Sequence, residues 1–300
     1  MQFTPPPLDF APCTRRQWLA LAAGAGAMGQ VAAGALALPA RALVFPRDHG
    51  SHPGLHTEWW YLTGHAQAAG RLWGFQVTFF RSRVDATQGL QSAFAAKQLL
   101  FAHAALTDVQ GQRLHHDQRI ARAGFGVAQA SEADTAVRLR DWSLARTAPP
   151  SISSHTGSRY AARVEGDGFG LDLQCDTHQP PLLQGRQGLS RKGPEATQAS
   201  YYYSQPQLAV SGAIMLNGRR MAIESDTSES GTSANRAWLD HEWSDALMHP
   251  EAVGWDWIGM NLNDGSALTA FRLRRSDGSA LWAGGSFRSA GQPTQVFADN

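Results

Sequence analysis

From Thr57 onward, apolar and polar residues alternate with a period of two, in short runs closed by Gly, Asp, Asn or Ser. The runs Thr57–Gly64, Arg71–Val84, Leu99–Asp108, Ala136–Ala145, Arg159–Gly166 and Phe169–Asp176 each read as a half-buried strand. Leu208–Leu216 and Arg219–Ser225 flank Asn217-Gly218, a pair suited to the positive φ angles of a type I′ turn, so they predict a hairpin. Gly254–Leu262, Ser266–Arg275 and Ser279–Arg288 continue the meander through Asn263-Asp264-Gly265 and Ser276-Asp277-Gly278. No 3.6-residue period is sustained in this region, and the prediction is an all-β chain of antiparallel strands, a barrel or a sandwich. Two stretches interrupt the pattern, Ala148–Gly157 and the Gly/Pro/Ser-rich Gln179–Ser200. The second is long enough to serve as a domain connection or a lid, which divides the chain into β domains over 43–200 and 201–300. The chain ends at Gln295–Asn300, just after a strand-like run, so the second domain is expected to be incomplete at its C-terminus.

Residues 1–42 read as an address. Thr14-Arg15-Arg16-Gln17-Trp18-Leu19 places paired arginines before an apolar, small-residue stretch, and Ala40-Arg41-Ala42 supplies an A-x-A cleavage site. The expectation is a twin-arginine signal peptide and a periplasmic protein, with a membrane anchor helix as the alternative. Of the 300 residues, 26 are Lys or Arg and 25 are Asp or Glu, a net charge of +1. Removing residues 1–42 takes away Arg15, Arg16, Arg41 and Asp9 and leaves the chain at −1. Neither value favours a polyanion, and nucleic acid is not an expected partner. Cleavage also removes Cys13 and leaves Cys175 alone in an alternating run, where it reads as a core residue rather than a nucleophile.

Candidate chemistry is concentrated where carboxylates and imidazoles sit among indoles. In Trp238-Leu239-Asp240-His241-Glu242-Trp243, strand geometry puts Trp238, Asp240 and Glu242 on one face and Leu239, His241 and Trp243 on the other. Glu58 and Trp60 share a face in Glu58-Trp59-Trp60-Tyr61 by the same rule. An apolar wall raises a carboxyl pKa and lowers that of His, which is how a proton donor or acceptor is made near neutrality. His241, Glu58, Asp240 and Glu242 are therefore the candidate catalytic residues, with a buried polar network as the alternative. Trp60, Tyr61, Trp243, Trp255 and Trp257 are the candidate ligand-binding aromatics. Asp256 ranks below these, because its indole neighbours point away from it on a regular strand. His49, His52, His56 and Glu58 are irregularly spaced on a Gly/Pro loop and are expected to make loop hydrogen bonds rather than hold a metal. No Gly-x-Ser-x-Gly elbow, phosphate loop or dinucleotide fingerprint is present, and no cofactor is expected.

Several motifs occur together: Phe45-Pro-Arg-Asp-His-Gly-Ser-His52, Thr57-Glu-Trp-Trp-Tyr-Leu-Thr-Gly64, Phe101-Ala-His-Ala-Ala-Leu-Thr-Asp108, Tyr201-Tyr-Tyr-Ser-Gln-Pro206, Ala237-Trp-Leu-Asp-His-Glu-Trp-Ser244 and Gly254-Trp-Asp-Trp257. In this order they resemble the AttH/CrtC-like proteins, a lipocalin-like family that includes carotenoid 1,2-hydratases. The resemblance covers roughly residues 44–288 and implies two consecutive lipocalin-like β-barrel domains with ligand space inside or between them. It further implies an apolar isoprenoid or lipid-like ligand, and addition of water to a carbon–carbon double bond. A non-enzymatic carrier for such a ligand, and a structural accessory to a membrane complex, are the alternatives; the protein is expected to be a monomer. Asp226–Asn235 departs from the family as an insertion. If the two domains face each other, Glu58 and His241 are expected to line one cavity although 183 positions separate them.

Overall fold

The computed structural model describes residues 37–147, 157–225, 234–245 and 248–297. The paired arginines, Cys13, most of the Ala148–Gly157 loop and most of the Asp226–Asn235 insertion lie outside these residues. Helix among the described residues is limited to two single 3-10 turns, Arg47–His49 and Asp85–Thr87.

Four long strands open the chain as a meander: β1 (Thr57–Ala68), β2 (Arg71–Arg83), β3 (Gln98–Asp108) and β4 (Arg113–Arg122). A second series follows, β5 (Ala128–Ala130), β6 (Ala136–Leu139), β7 (Trp142–Thr147), β8 (Arg159–Glu165) and β9 (Phe169–Asp176). Next come β10 (Leu182–Leu183), β11 (Leu189–Arg191), β12 (Ala199–Leu216), β13 (Arg219–Ala222) and β14 (Arg236–Ser244). These fourteen strands form one antiparallel sheet whose main path runs β4-β3-β2-β1-β14-β12-β9-β8-β7-β6-β5. Its two ends curl back until β4 contacts β6, giving a nearly closed barrel. A smaller sheet of β15 (Gly254–Asn261), β16 (Ala267–Arg274), β17 (Ala280–Arg288) and β18 (Gln295–Val296) completes the fold. The all-β expectation therefore holds.

The alternation along each strand is the physical reason for the barrel: alternate side chains face inward and are removed from water. Trp60, Leu62, Phe79, Leu106, Leu144, Leu173 and Trp243 are fully buried in a single cluster. Gly64 is required where β1 meets β14, since a Cβ there would stand 2.3 Å from the Arg236 carbonyl oxygen. Asn217 and Gly218 both take positive φ, 49° and 78°, and join β12 to β13 as the turn chemistry predicts.

Several readings change. Ala136–Ala145 is not one strand but the β6–β7 hairpin, turning at Arg140 with φ 58°. β4 was missed because its residues are mostly exposed or half-buried and carry charge, as befits an outermost strand. Gln179–Ser200 is not a free connection: β10 and β11 pair with β12 in register. The boundary expected at 200/201 accordingly falls within β12, and both β12 and β14 belong to the large sheet, between β1 and β9. Sequence distance misled here, because β14 returns to pair with β1 across the whole intervening chain.

Candidate functional site

Four neighbouring strands bring the polar cluster together by register alone. Arg81 on β2 pairs with Glu58 on β1; Trp60 on β1 pairs with His241 on β14; Tyr203 on β12 pairs with His241. All these side chains point to the inner face. The loop before β1 folds over them and adds Asp48, His49, Ser51 and His52, all buried.

Glu58 is the centre, with no exposed surface. One carboxylate oxygen, Oε1, accepts from His52 Nδ1 at 2.7 Å and from His241 Nε2 at 2.9 Å. The other, Oε2, accepts from Arg81 Nε at 2.8 Å, from Ser51 Oγ at 2.9 Å and from the His52 backbone N–H at 2.9 Å. Burial opposes ionisation, but the hydrogen bonds and charge of the two histidines outweigh it and hold Glu58 well below the usual carboxylate range. His52 lies between two carboxylates, since its Nε2 is 2.9 Å from Asp48 Oδ1. Both of its contacts are hydrogen bonds only when both ring nitrogens carry a proton. Its ring stacks on Trp243 at 3.9 Å, with 2° between the planes.

His241 behaves differently. Burial brings its pKa down to about 4 against the pull of Glu58, so near neutral pH it is uncharged and donates Nε2–H to Glu58. Its Nδ1 then faces the Tyr203 hydroxyl at 3.3 Å, and that hydroxyl also lies 2.7 Å from His49 Nδ1. Trp60 stacks on His241 at 4.7 Å. Asp48–His52–Glu58–His241–Tyr203–His49 is thus a continuous chain of hydrogen bonds through the barrel wall. Arg81 is its cationic brace, 1% exposed, and also donates to the His52 and Leu55 carbonyls at 2.9 Å each.

An open cavity of about 430 Å³ adjoins this chain, lined by Leu38, Pro39, Arg41, Leu55, Tyr201 and Trp243, with His52 on its wall. Glu58 and His241 meet, as their matching contexts suggested, but they stand behind His52 and Trp243 rather than on the cavity surface.

Asp240 and Glu242 lie on the opposite face of β14, toward the smaller sheet. Asp240 accepts from Ser204 Oγ at 2.6 Å and Trp238 Nε1 at 2.7 Å. Burial pushes it up to about 7, against its hydrogen bonds from Ser204, Trp238 and Tyr202, and nearby Glu242 adds to the rise. Glu242 pairs with Lys192 at 3.1 Å and accepts from Ser200 at 2.6 Å. Of the aromatic candidates, Trp243 lines the cavity and Trp60 backs His241. Tyr61 and Trp257 pack edge to face between the sheets, where Trp257 Nε1 donates to the Tyr202 hydroxyl at 3.1 Å. Trp255 is 43% exposed on the smaller sheet. Asp256 is exposed and pairs with Arg272 and Arg274. Arg81, Asp48 and Tyr203 were not singled out from the sequence, although Asp48 and Tyr203 lie inside quoted motifs. Arg81, a charge flanked by β2's apolar run, was the available signal.

His52 Nδ1, His241 Nε2 and Glu58 Oε1 lie within 4.8 Å of one another and are the described donor set of a kind that holds a transition metal. As they stand, both nitrogens are hydrogen-bonded to the same oxygen, so the set is satisfied without an ion. His56 bonds Asp85 and Asp245 instead. Cys175 is buried, and burial pushes its thiol up to about 12, consistent with a core residue.

No curated protein matches the chain. Solved structures similar to it include the following two. An AttH-type protein from Nitrosomonas europaea is 43% identical, with a TM-score of 0.75 over 87% of this chain and 74% of that one. Kievitone hydratase from Nectria haematococca is 11% identical, with a TM-score of 0.60 over 85% of this chain and 68% of that one, a likeness of fold. The AttH-like family model matches residues 36–300. With 43% identity over most of the length and a family match that takes in every element described above, the chain belongs to the AttH-like family.

Proposed function

We propose that this protein is an exported hydratase that binds an apolar, isoprenoid or lipid-like molecule against Trp243 and Tyr201 and adds water across a carbon–carbon double bond. The observation that carries the reading is His52, a doubly hydrogen-bonded imidazole on the cavity wall, stacked on an indole and backed by a buried relay. Acid-catalysed hydration needs a proton donor, an apolar site and an electron-rich wall for the cation that forms. His52 supplies the proton: its Nε2–H leaves the Asp48 carboxylate for the substrate carbon, while Nδ1–H stays on Glu58. A C–H bond forms, the π electrons leave a carbocation beside the Trp243 ring, and the oxygen of a water molecule closes the C–O bond. The proton lost from that oxygen returns to His52, so the enzyme is restored. Glu58, held ionised, stabilises the protonated imidazole. His241, held neutral, and Arg81 fix the Glu58 carboxylate in turn. The kievitone hydratase likeness supports the fold of such a site; hydration of a double bond is what the family resemblance implies, and His52 and Trp243 are the residues proposed to carry it.

A second reading is favoured by the complete burial of Glu58 and His241: a carrier, in which the network only stiffens the wall behind the ligand. Lipid extraction and mass spectrometry of natively exported protein identify the bound molecule, and incubation of that molecule in D2O decides between the readings. The hydratase gives an alcohol carrying one deuterium on carbon, and His52→Gln loses this product while keeping the ligand. Retention of ligand without product, by the unsubstituted protein, establishes the carrier.

A further inference from the structure

The outer wall of the cavity is made by the same residues that the sequence marks for cleavage. Leu38, Pro39 and Arg41 line it. The Tyr201 hydroxyl donates to the Pro39 carbonyl at 2.6 Å, and the Arg41 guanidinium lies over the Tyr201 ring at 4.6 Å. Arg41 also grips Asp48 with two hydrogen bonds, Nη1 to Oδ2 at 2.7 Å and Nη2 to Oδ1 at 2.9 Å. Asp48 Oδ1 is the atom that His52 Nε2 contacts from the other side. The segment is therefore tied both to the ligand wall and to the proton relay. Yet Pro39 to Ala42 is exposed and belongs to no helix or strand, which leaves it accessible to a protease.

We propose that Ala40-Arg41-Ala42 is a processing site whose cut widens the cavity, so that the uncut chain holds the narrower form and the chain beginning at Leu43 the wider one. The inference uses the cavity of the proposed function but not its chemistry: a wider cavity serves a hydratase and a carrier alike. In the cut, water adds across the Ala42–Leu43 peptide bond, leaving a carboxylate on Ala42 and an ammonium on Leu43. Departure of residues up to 42 removes the three wall residues and exposes Tyr201 and Trp243. Asp48 loses its arginine and keeps His52 and the Val44 N–H, which donates to Oδ2 at 2.6 Å. The new ammonium stands one residue before Val44, and so returns a positive charge to the same neighbourhood. Cutting thus widens the site and leaves His52 as Asp48's principal side-chain partner.

The test compares two natural forms of the protein. The precursor, retained in the cytoplasm by Arg15→Lys with Arg16→Lys, is purified beside the exported form, and both are weighed intact by mass spectrometry. Binding of 8-anilinonaphthalene-1-sulfonate and acrylamide quenching of tryptophan are then measured on each. The exported form is expected to begin at Leu43, to bind the probe about tenfold more tightly and to be quenched more strongly. Arg41→Gln in the retained precursor, which keeps the segment but removes its grip on Asp48, is expected to fall between the two. An exported form that still carries residues 38–42, or equal probe binding and quenching before and after the cut, overturns the proposal.

Discussion

On the inner face of β14, His241 meets a carboxylate, Glu58, whose donors include Arg81 and the doubly hydrogen-bonded His52. On the outer face, one position away along the strand, Asp240 meets only neutral donors, a serine hydroxyl, an indole and a phenol. Both carboxyls are buried to the same degree in practice, at 0% and 4% exposure. Glu58 is nonetheless kept ionised and Asp240 is pushed up to about 7. Desolvation is the common cost; what differs is whether the partners bring charge. The comparison teaches that one strand carries two acid–base environments of opposite sense because its alternate side chains enter differently charged surroundings.

The largest effect is expected from Glu58→Gln. It leaves Arg81 buried without its carboxylate and His52 with Asp48 alone, a kind of loss that costs about 3–5 kcal/mol. Chemical denaturation measures it, and a variant as stable as the parent would remove the charge-compensated cluster from the account. On the outer face the corresponding change is milder. Ser204→Ala removes one neutral donor from Asp240 and strands Gln184 Nε2, which donates to the Ser204 hydroxyl at 2.9 Å. The expected loss is about 1–3 kcal/mol, read as a lowered midpoint of unfolding; a loss equal to that of Glu58→Gln would erase the distinction between the faces. Asp256→Ala, on the smaller sheet, should leave the unfolding curve unchanged, because its pairs with Arg272 and Arg274 are solvent-exposed.

The two faces of β14 were legible in advance: the alternation in Trp238–Trp243 assigns His241 and Trp243 to one side and Asp240 and Glu242 to the other. The pairing of Glu58 with His241 was visible only as a likeness of context, since register between β1 and β14 is set by the whole sheet. What the pattern did not show is that these two groups lie behind the cavity wall while Asp240 and Glu242 face the smaller sheet. Nor did it show His52 as the cavity residue. A histidine in a Gly/Pro loop carries no periodicity, and its position follows from Asp48 and Glu58 gripping its two nitrogens. The strand pairing within Gln179–Ser200 was hidden for a related reason: a Gly/Pro-rich stretch resembles a linker until its partner strand, β12, is known.

The pH dependence of stability separates the faces because its sign differs between them. For His241 the folded pKa of about 4 lies below the ordinary 6.5, so the unfolded chain takes up the proton first and stability falls as pH drops through that interval. For Asp240 the folded pKa of about 7 lies above the ordinary 3.8, so the unfolded chain loses the proton first and stability falls as pH rises through that interval. The two contributions oppose each other in the parent protein and are exposed by substituting one at a time. The decisive measurement is the unfolding free energy of Asp240→Asn and His241→Gln between about pH 4.5 and 6.5, where each group contributes at most about 1.4 kcal/mol per pH unit. Relative to the parent, the slope with rising pH should become more positive in Asp240→Asn and more negative in His241→Gln. A shift of the same sign in both variants, or none in either, would contradict the account.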